Sequence, residues 1–334
     1  NPQLTMWDGW DNGFDEVYGP SSITPGEEDL IDWEKFTANH DGIQRIPKAV
    51  VECIRSSEGT FKELIRGIRI LRNNDFPTVE EIQERIADIS FNANSEFLFV
   101  NMMDVHTPYA PPKEYRSQKT AISPNMEDAL TGTMPEKEVM RQAYESSVQY
   151  VSDIYKDIHN LLTDSFDYVF TISDHGELLG EYNLCNHNYG VYPELTHVPL
   201  QISGRDIENQ TSETPVSILD IHQTIAELAN VDVESRGQNL LGEIHPQPRL
   251  TEYHGLTKWL KETLQEKDVL EGYLTTPVYG VISDDGSYSY QAPESISEDL
   301  PHLDRLKTDL DVHQNRGDAE QISDEVRKQL EELG

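Results

Sequence analysis

Positively charged side chains are scarce in this sequence of 334 residues, in which 26 Lys and Arg stand against 61 Asp and Glu and leave a formal net charge of −35. Clusters of Lys and Arg neutralise the phosphates of nucleic acids, and a surface with this charge repels a polyanion. Long apolar runs are missing too, since none approaches the roughly 20 residues that a transmembrane helix requires. The composition therefore argues against a nucleic-acid partner and against a membrane span.

Cysteine is almost absent, because only Cys53 and Cys185 occur. They form neither a CxxC pair nor a disulfide framework, so nothing indicates an oxidising compartment. We expect two reduced, buried thiols in a cytoplasmic protein, with any targeting signal lying upstream of Asn1.

The acidic residues are spread along the whole chain. Like charges at this density repel one another in dilute buffer, whereas in molar salt the Debye length falls to about 3 Å and most of that repulsion is screened. Since 36% of the residues are hydrophobic, a packed core is nevertheless expected. The composition predicts a halophilic protein of archaeal type, adapted to high intracellular salt.

A strand, a helix and a second strand are predicted between about residues 96 and 173. The apolar runs at 97–102 and 168–172 are typical of buried strands. Between them, apolar residues recur at steps of three or four and predict one face of a long helix, formed by Met140, Tyr144, Val148, Val151, Tyr155, Ile158 and Leu162. Strands joined in this way run parallel, and functional side chains collect at their carboxyl ends.

Three further elements are predicted from shorter patterns. The segment 198–203 is typical of a strand, and apolar spacing predicts a helix over 218–229 that ends at Asn230. A last helix is predicted around 322–330, followed by the end of the sequence.

The chain changes character near residue 245, where short strands and turns replace long elements. Apolar segments flank Asp285-Gly286, a dipeptide suited to the backbone angles of a tight hairpin. We expect a main domain over 1–244 and a small antiparallel subdomain with a helix over 245–334.

Asp174 and His175 are adjacent and directly follow the run at 168–172. A carboxylate oxygen and a neutral imidazole nitrogen together make half of a divalent-metal site. The alternative is an Asp that caps the next helix beside an ordinary loop His. Gly176, the next residue, lets the backbone turn sharply.

His106 follows the other predicted strand, in a turn that Pro108 stiffens by biasing Thr107 towards an extended conformation. An imidazole there can donate a hydrogen bond to an anionic oxygen or protonate a leaving group. The alternative is a structural His bonded to the backbone. Asp104 is expected mainly to hold this turn.

His187 and Asn188 lie in a loop about a dozen residues beyond Asp174. Either side chain can reach the same sheet edge, although a solvated loop explains them equally well.

The order of the motifs resembles the sulfatase family of the alkaline phosphatase superfamily. Residues 97–109 are similar to that family's F-x-x-x-x-D-x-H-x-P-Y segment, and 174–181 to its D-H-G-E-x-L-G-E loop. Residues 192–199 resemble Y-E-E-x-x-R-V-P, residues 217–242 resemble S-x-x-D-I-x-P-T-L followed by G-x-S-L-L, and 13–16 read G-F-D-E.

This resemblance implies a fold, a cofactor and a substrate class. The fold is an α/β three-layer αβα sandwich around a mixed, mostly parallel sheet, with a small antiparallel C-terminal subdomain. Asp174 and His175 are implied to bind a divalent cation, Ca²⁺ first, with Mn²⁺ or Zn²⁺ as alternatives. His106 is implied to act as a catalytic residue and to contact the substrate, as His187 or Asn188 would. The partner is then a small-molecule or carbohydrate sulfate ester.

The family's nucleophile is formylglycine, made from Cys or Ser in a C/S-x-P-x-R motif that this sequence lacks. The resemblance thus implies a sulfatase-like domain over 1–244 whose nucleophile segment lies upstream. The enzyme implied is an arylsulfatase-like sulfuric ester hydrolase. Two alternatives stay open: a phosphodiesterase or phosphonate monoester hydrolase of the same superfamily, and a non-catalytic binding homologue.

Overall fold

The computed structural model describes residues 13–18, 77–117, 121–296 and 299–314. The chain divides into two compact units. The first comprises Asn1–Pro124 and Pro135–Val169, and the second comprises Asn125–Met134 and Phe170–Gly334.

The helices of the described segments are α1 (Val79–Asp88), α2 (Met126–Thr131), α3 (Lys137–Ser165), α4 (Pro193–Thr196), α5 (Ile218–Leu228), α6 (Lys258–Glu266) and α7 (Leu303–Gln314). The strands are β1 (Tyr168–Ile172), β2 (Leu178–Leu179), β3 (Cys185–Asn186), β4 (Leu200–Gly204), β5 (Arg249–Tyr253), β6 (Val278–Ile282) and β7 (Tyr288–Tyr290). None of these helices combines the length and the apolar character that crossing a membrane demands.

The first unit is built on the packing of α1 against α3. Helix α1 begins at a capping box, in which Thr78 Oγ1 accepts from the backbone N–H of Glu81 and the Glu81 carboxylate accepts from the N–H of Thr78. The apolar face of α1 shares one core with α3, and Val79 and Ile158 are completely buried in it.

The long helix predicted from the apolar spacing is confirmed as α3, which has 29 residues. One position of its predicted face is wrong, because Val148 is 40% exposed. The buried stripe runs instead through Ala143, Ser147 and Tyr150, and the hydroxyl of Tyr150 donates a hydrogen bond to the carboxylate of Glu80 on α1.

The buried strand predicted at 97–102 is wrong. Alternate side chains of this segment face the core of α1 and α3, namely Leu98, Val100 and Met102. Phe97 and Phe99 between them are 60% and 57% exposed. A strand needs a neighbour that takes its backbone hydrogen bonds, and no strand in the described part of the chain pairs with this segment.

The second unit contains a short hairpin and a larger sheet. Strands β2 and β3 pair antiparallel with Leu178 opposite Asn186. Strands β5, β6 and β7 form an antiparallel sheet in chain order, and the predicted turn at Asp285-Gly286 is confirmed, with Gly286 at φ 81°.

Helix α5 is fixed at both ends by side chains that the sequence offers. Ser217 caps its start and exchanges hydrogen bonds with the third residue of the helix, Asp220. At its end Asn230 adopts a left-handed conformation, φ 53°, as its prediction at the C-terminal cap requires.

The described chain is a mixed α/β structure. Strands β1 and β4 pair in a two-stranded sheet and lie where strands were predicted. The sheets whose strand directions are assigned are small and antiparallel, so the mostly parallel sheet stays a prediction. The domain boundary at 244/245 also stays a prediction, and the helix predicted around 322–330 lies outside the described residues.

Candidate active site

The hairpin of β2 and β3 brings together the residues on either side of it. Leu178 lies opposite Asn186 in the register, so the next pair along the hairpin is Glu177 and His187. Their side chains are 7% and 20% exposed, and Nδ1 of His187 lies 3.4 Å from each carboxylate oxygen of Glu177. A carboxylate only accepts hydrogen bonds, so the proton of this contact is on Nδ1.

His175 stacks on His187 across this hairpin. The ring centroids are 4.1 Å apart and the ring planes differ by 28°. Nδ1 of His175 lies 2.9 Å from the carbonyl oxygen of Gly176, which can only accept. The lone pair of the neutral His175 ring is therefore on Nε2, the arrangement found in metal-binding histidines.

Asp174 lies beside this nitrogen. Its carboxylate is 67% exposed, and Oδ1 is 3.8 Å from Nε2 of His175. The same oxygen accepts a hydrogen bond from the backbone N–H of His175 at 3.1 Å. The helix-cap alternative fails, because the next element is strand β2 and not a helix.

These two donor atoms fit part of a cation site. Each ligand lies about 2.0–2.6 Å from a bound divalent cation, so atoms 3.8 Å apart can share one. Within the described segments no group of three or more His, Cys, Asp or Glu side chains converges on a possible metal position. Asp174 and His175 can therefore supply two ligands of such a site, and they do not complete it alone.

Gly176 must be glycine for a reason other than a sharp turn. A Cβ built on it would lie 1.9 Å from the carbonyl oxygen of Glu194, and its N–H donates to the carbonyl of Leu195 at 2.8 Å. The missing side chain lets the backbone of α4 pack directly against the Asp174-His175 segment.

Asn186 organises the loop that carries His187 and Asn188, and sequence reasoning missed it. Its side chain is buried, its φ is 70°, and its Oδ1 accepts from the N–H of His187 at 2.6 Å and from Nδ2 of Asn188 at 2.9 Å. Asn tolerates the left-handed region better than most residues, which is the signal that could have identified it. The loop is structured and not a solvated connection.

His106 belongs to the first unit. Its Nδ1 lies 2.7 Å from the carbonyl oxygen of Thr107, and its N–H donates to the carbonyl of Met103 at 2.9 Å. The following Thr107–Pro108 peptide is cis. Like His175, the neutral ring of His106 is held with its proton on Nδ1 and its lone pair on Nε2.

Asp104, expected to hold the turn before His106, lies in an acidic environment. Burial, and then the carboxylate of Glu80, raise the pKa of Asp104 to about 6. One of its oxygens, Oδ2, is buried without a hydrogen-bond partner among the described residues.

Cys185 is the free, buried thiol that its sequence context predicts. Its Sγ donates to the carbonyl of Asn125, and burial together with Asp128 and Glu177 raises the pKa of the thiol to about 12. A thiol of this kind is a poor nucleophile at neutral pH. Cys53 lies outside the described residues.

Comparison with known proteins shows which family the chain belongs to. The family model for sulfatases matches residues 5–231, more than half of the chain. The chain belongs to the sulfatase family. Its similarity to the uncharacterized sulfatase YidJ of Escherichia coli K12 is 26% identity over 241 residues, which cover 59% of this chain and 48% of that protein. The chain therefore spans about half the length of this curated relative.

Weak matches to solved structures include a phosphonate monoester hydrolase and a sulfatase. A phosphonate monoester hydrolase from Silicibacter pomeroyi matches with a TM-score of 0.38 and 18% identity over 54% of this chain and 42% of that one. A 2-O GAG sulfatase matches with a TM-score of 0.32 and 15% identity over 71% of this chain and 55% of that one.

Proposed function

We propose that this sulfatase-family chain belongs to a metal-dependent, arylsulfatase-like hydrolase of sulfate monoesters. The observation that carries the proposal is the pair formed by Asp174 and His175. The backbone carbonyl of Gly176 holds Nδ1 of His175, which leaves Nε2 as the ligand atom 3.8 Å from the Asp174 carboxylate. The proposal is supported by two donor atoms suited to a cation in the segment before strand β2, in a chain that belongs to the sulfatase family.

A divalent cation bound there would polarise an oxygen of the ester and stabilise the negative charge that develops on it. We propose Ca²⁺ from the family resemblance. The donor types also suit Mn²⁺ and Zn²⁺, because imidazole nitrogen is a ligand that transition metals favour and Ca²⁺ prefers oxygen.

His106 is proposed to serve the departing alcohol. Because Nδ1 of His106 donates to the carbonyl of Thr107, the ring can give a proton from Nε2 only as the imidazolium. In that form Nδ1–H keeps its bond to Thr107, and the Nε2 proton passes to the alcohol oxygen as the sulfur–oxygen bond breaks. His187 and Asn188 are proposed to contact the ester.

The nucleophile is proposed to be a formylglycine encoded upstream of Asn1. Neither cysteine stands in a C-x-P-x-R motif, since Cys53 is followed by Ile54 and Cys185 by Asn186. The high pKa of the Cys185 thiol agrees with a structural role for that residue.

The substrate is proposed to be a small-molecule or carbohydrate sulfate ester, turned over in the cytoplasm of a salt-adapted cell. An anionic substrate must approach a chain with a net charge of −35. A bound cation would provide the local positive charge that such a surface otherwise lacks.

The test is a panel of aryl and sugar sulfates, phosphate monoesters and diesters and phosphonate monoesters, offered to the whole protein. We expect sulfate esters to be hydrolysed fastest, and His106→Ala to lower kcat by about 100-fold or more. His254→Ala is the matched control, because the side chain of His254 is 65% exposed.

Each other outcome has a definite meaning. Faster hydrolysis of phosphate or phosphonate esters would reassign the substrate within the superfamily. Cation binding without turnover of any ester would indicate a non-catalytic homologue. An unchanged kcat for His106→Ala would remove that residue from the reaction.

A further inference from the structure

We infer that Glu177 is a positioning residue that holds the His187 ring by Nδ1, so that Nε2 is the atom His187 presents to the ester. That His187 meets the ester rests on the proposed function. The tautomer and the orientation of the ring follow from the geometry of the hairpin alone.

The register of β2 and β3 creates the contact. With Leu178 opposite Asn186, Glu177 and His187 occupy the next opposed positions, where side chains of an antiparallel pair lie within reach. The contact is symmetric, because Nδ1 is 3.4 Å from both carboxylate oxygens. The acid is 7% exposed, so the surrounding structure restricts its movement.

Two constraints act on the same ring. The stack on His175, at 4.1 Å and 28°, restricts the plane of the imidazole. A half-turn of the ring about its Cβ–Cγ bond keeps this plane. It would put a ring carbon in the place of Nδ1 and turn Nε2 away from its present direction. The Glu177 carboxylate opposes this half-turn, because a ring C–H is a far weaker donor than Nδ1–H.

The three imidazoles selected from the sequence are thus held by the same atom through different acceptors. His106 and His175 donate to backbone carbonyls, which no substitution of a side chain removes. His187 donates to the Glu177 side chain, so a substitution at Glu177 removes the acceptor and its effect on the His187 ring can be measured.

The experiment combines tautomer assignment with kinetics. In the whole protein with ¹⁵N-labelled histidine, long-range ¹H–¹⁵N spectra should show His187 with its proton on Nδ1. Glu177→Ala should populate the Nε2–H tautomer of His187. Glu177→Gln should preserve the Nδ1–H form, since the amide oxygen still accepts.

For the ester that the whole protein hydrolyses, Glu177→Ala should raise KM about 10-fold, the lower end of the effect of removing such a supporting partner, with a smaller change in kcat. Glu177→Gln should recover most of this loss. In a His187→Ala background Glu177→Ala should have no further effect. Glu181→Ala is the control for a merely loosened hairpin, because the Glu181 carboxylate accepts from the N–H of Leu179 and should leave the His187 tautomer unchanged.

The inference is overturned if wild-type His187 carries its proton on Nε2, a result that needs no variant to fold. It is also overturned if Glu177→Ala keeps the Nδ1–H form, if Glu181→Ala shifts the tautomer equally, or if Glu177→Ala costs as much without His187 as with it. A protein that hydrolyses no ester, yet shows the tautomer shift, would refute the proposed function and keep the positioning role.

Discussion

Asp104 in the first unit and Asp220 in the second each have a buried carboxylate oxygen, and their neighbours differ in charge. Asp220 is fully buried and accepts from Nη2 of Arg249 at 2.7 Å, from the N–H of Ser217 at 2.7 Å and from the N–H of Gln238 at 2.8 Å. Among the charged groups around Asp104, the Glu80 carboxylate acts on it most strongly, and burial together with that charge raises the pKa of Asp104 to about 6.

The difference shows how a strongly acidic chain places its carboxylates. Asp220 is surrounded by a cation and backbone donors, so it acts as a fixed structural residue that joins α5 to β5. Asp104 has another acid beside it, so its charged form is disfavoured and its contribution to stability depends on pH. The two sites can be distinguished by substitution.

The largest effect is expected at Asp220. Asp220→Ala leaves the Arg249 guanidinium, which is 11% exposed, without its counter-charge and removes the capping bond to Ser217. Breaking a buried ion pair from one side costs about 3–5 kcal/mol of unfolding free energy, measurable by urea denaturation. Asp284→Ala, in an exposed hairpin turn, is the matched control, and a loss at Asp220 no greater than at Asp284 would contradict this account.

A smaller effect of opposite sign is expected at Asp104. Its pKa in the folded chain is raised from 3.8 to about 6, so the folded state binds more protons than the unfolded state between these values. The stabilisation is complete below about pH 4 and is lost as the pH rises through about 6.

Asp104→Asn should remove this pH dependence and stabilise the protein at pH 7 by about 1–2 kcal/mol, because partial exposure reduces the full value of about 3 kcal/mol that a shift of this size represents. The groups that face Asp104 are Glu80, Glu81 and the Tyr150 hydroxyl. Denaturation curves of Asp104→Asn and wild type that stay parallel from pH 4 to 7 would show that Asp104 does not titrate in this range.

The smallest effect per residue is expected from the exposed acids. Their mutual repulsion is screened by salt, whereas the buried Asp220–Arg249 pair is not. We therefore expect the melting temperature to rise by several degrees between dilute buffer and molar KCl, and the destabilisation caused by Asp220→Ala to stay nearly constant. A melting temperature that does not rise would refute the proposed salt adaptation.

Elements with a long or local signal could be predicted from the sequence. The apolar period of α3 extends over about six turns, and Asp285-Gly286 specifies its own hairpin. The prediction at 97–102 was wrong, because a short apolar run does not show whether a neighbouring strand exists to pair with it. Asp174 and His175 were found because they are adjacent in sequence.

The partners of these residues could not be predicted in the same way. Strands β2 and β3 have two residues each, too few for any periodicity, so the pairing of Glu177 with His187 appears only in the register. Gly176 was explained by a turn, whereas the close approach of the Glu194 carbonyl requires it. The contact of Asp220 with Arg249 joins residues 29 apart. The capping motif at Ser217 indicates only the bond between Asp220 and the N–H of Ser217, and nothing in the sequence indicates Arg249.

The central claim is that Asp174 and His175 hold the cation of a sulfate ester hydrolase. The most direct measurement is the rate of aryl sulfate hydrolysis by the whole protein, after chelation and re-addition of Ca²⁺, Mn²⁺ or Zn²⁺, for wild type, Asp174→Ala and Asp284→Ala. We predict that one of these cations restores the rate in wild type and Asp284→Ala, and that Asp174→Ala stays slower by about 100-fold or more. Equal restored rates in Asp174→Ala and wild type would contradict the claim.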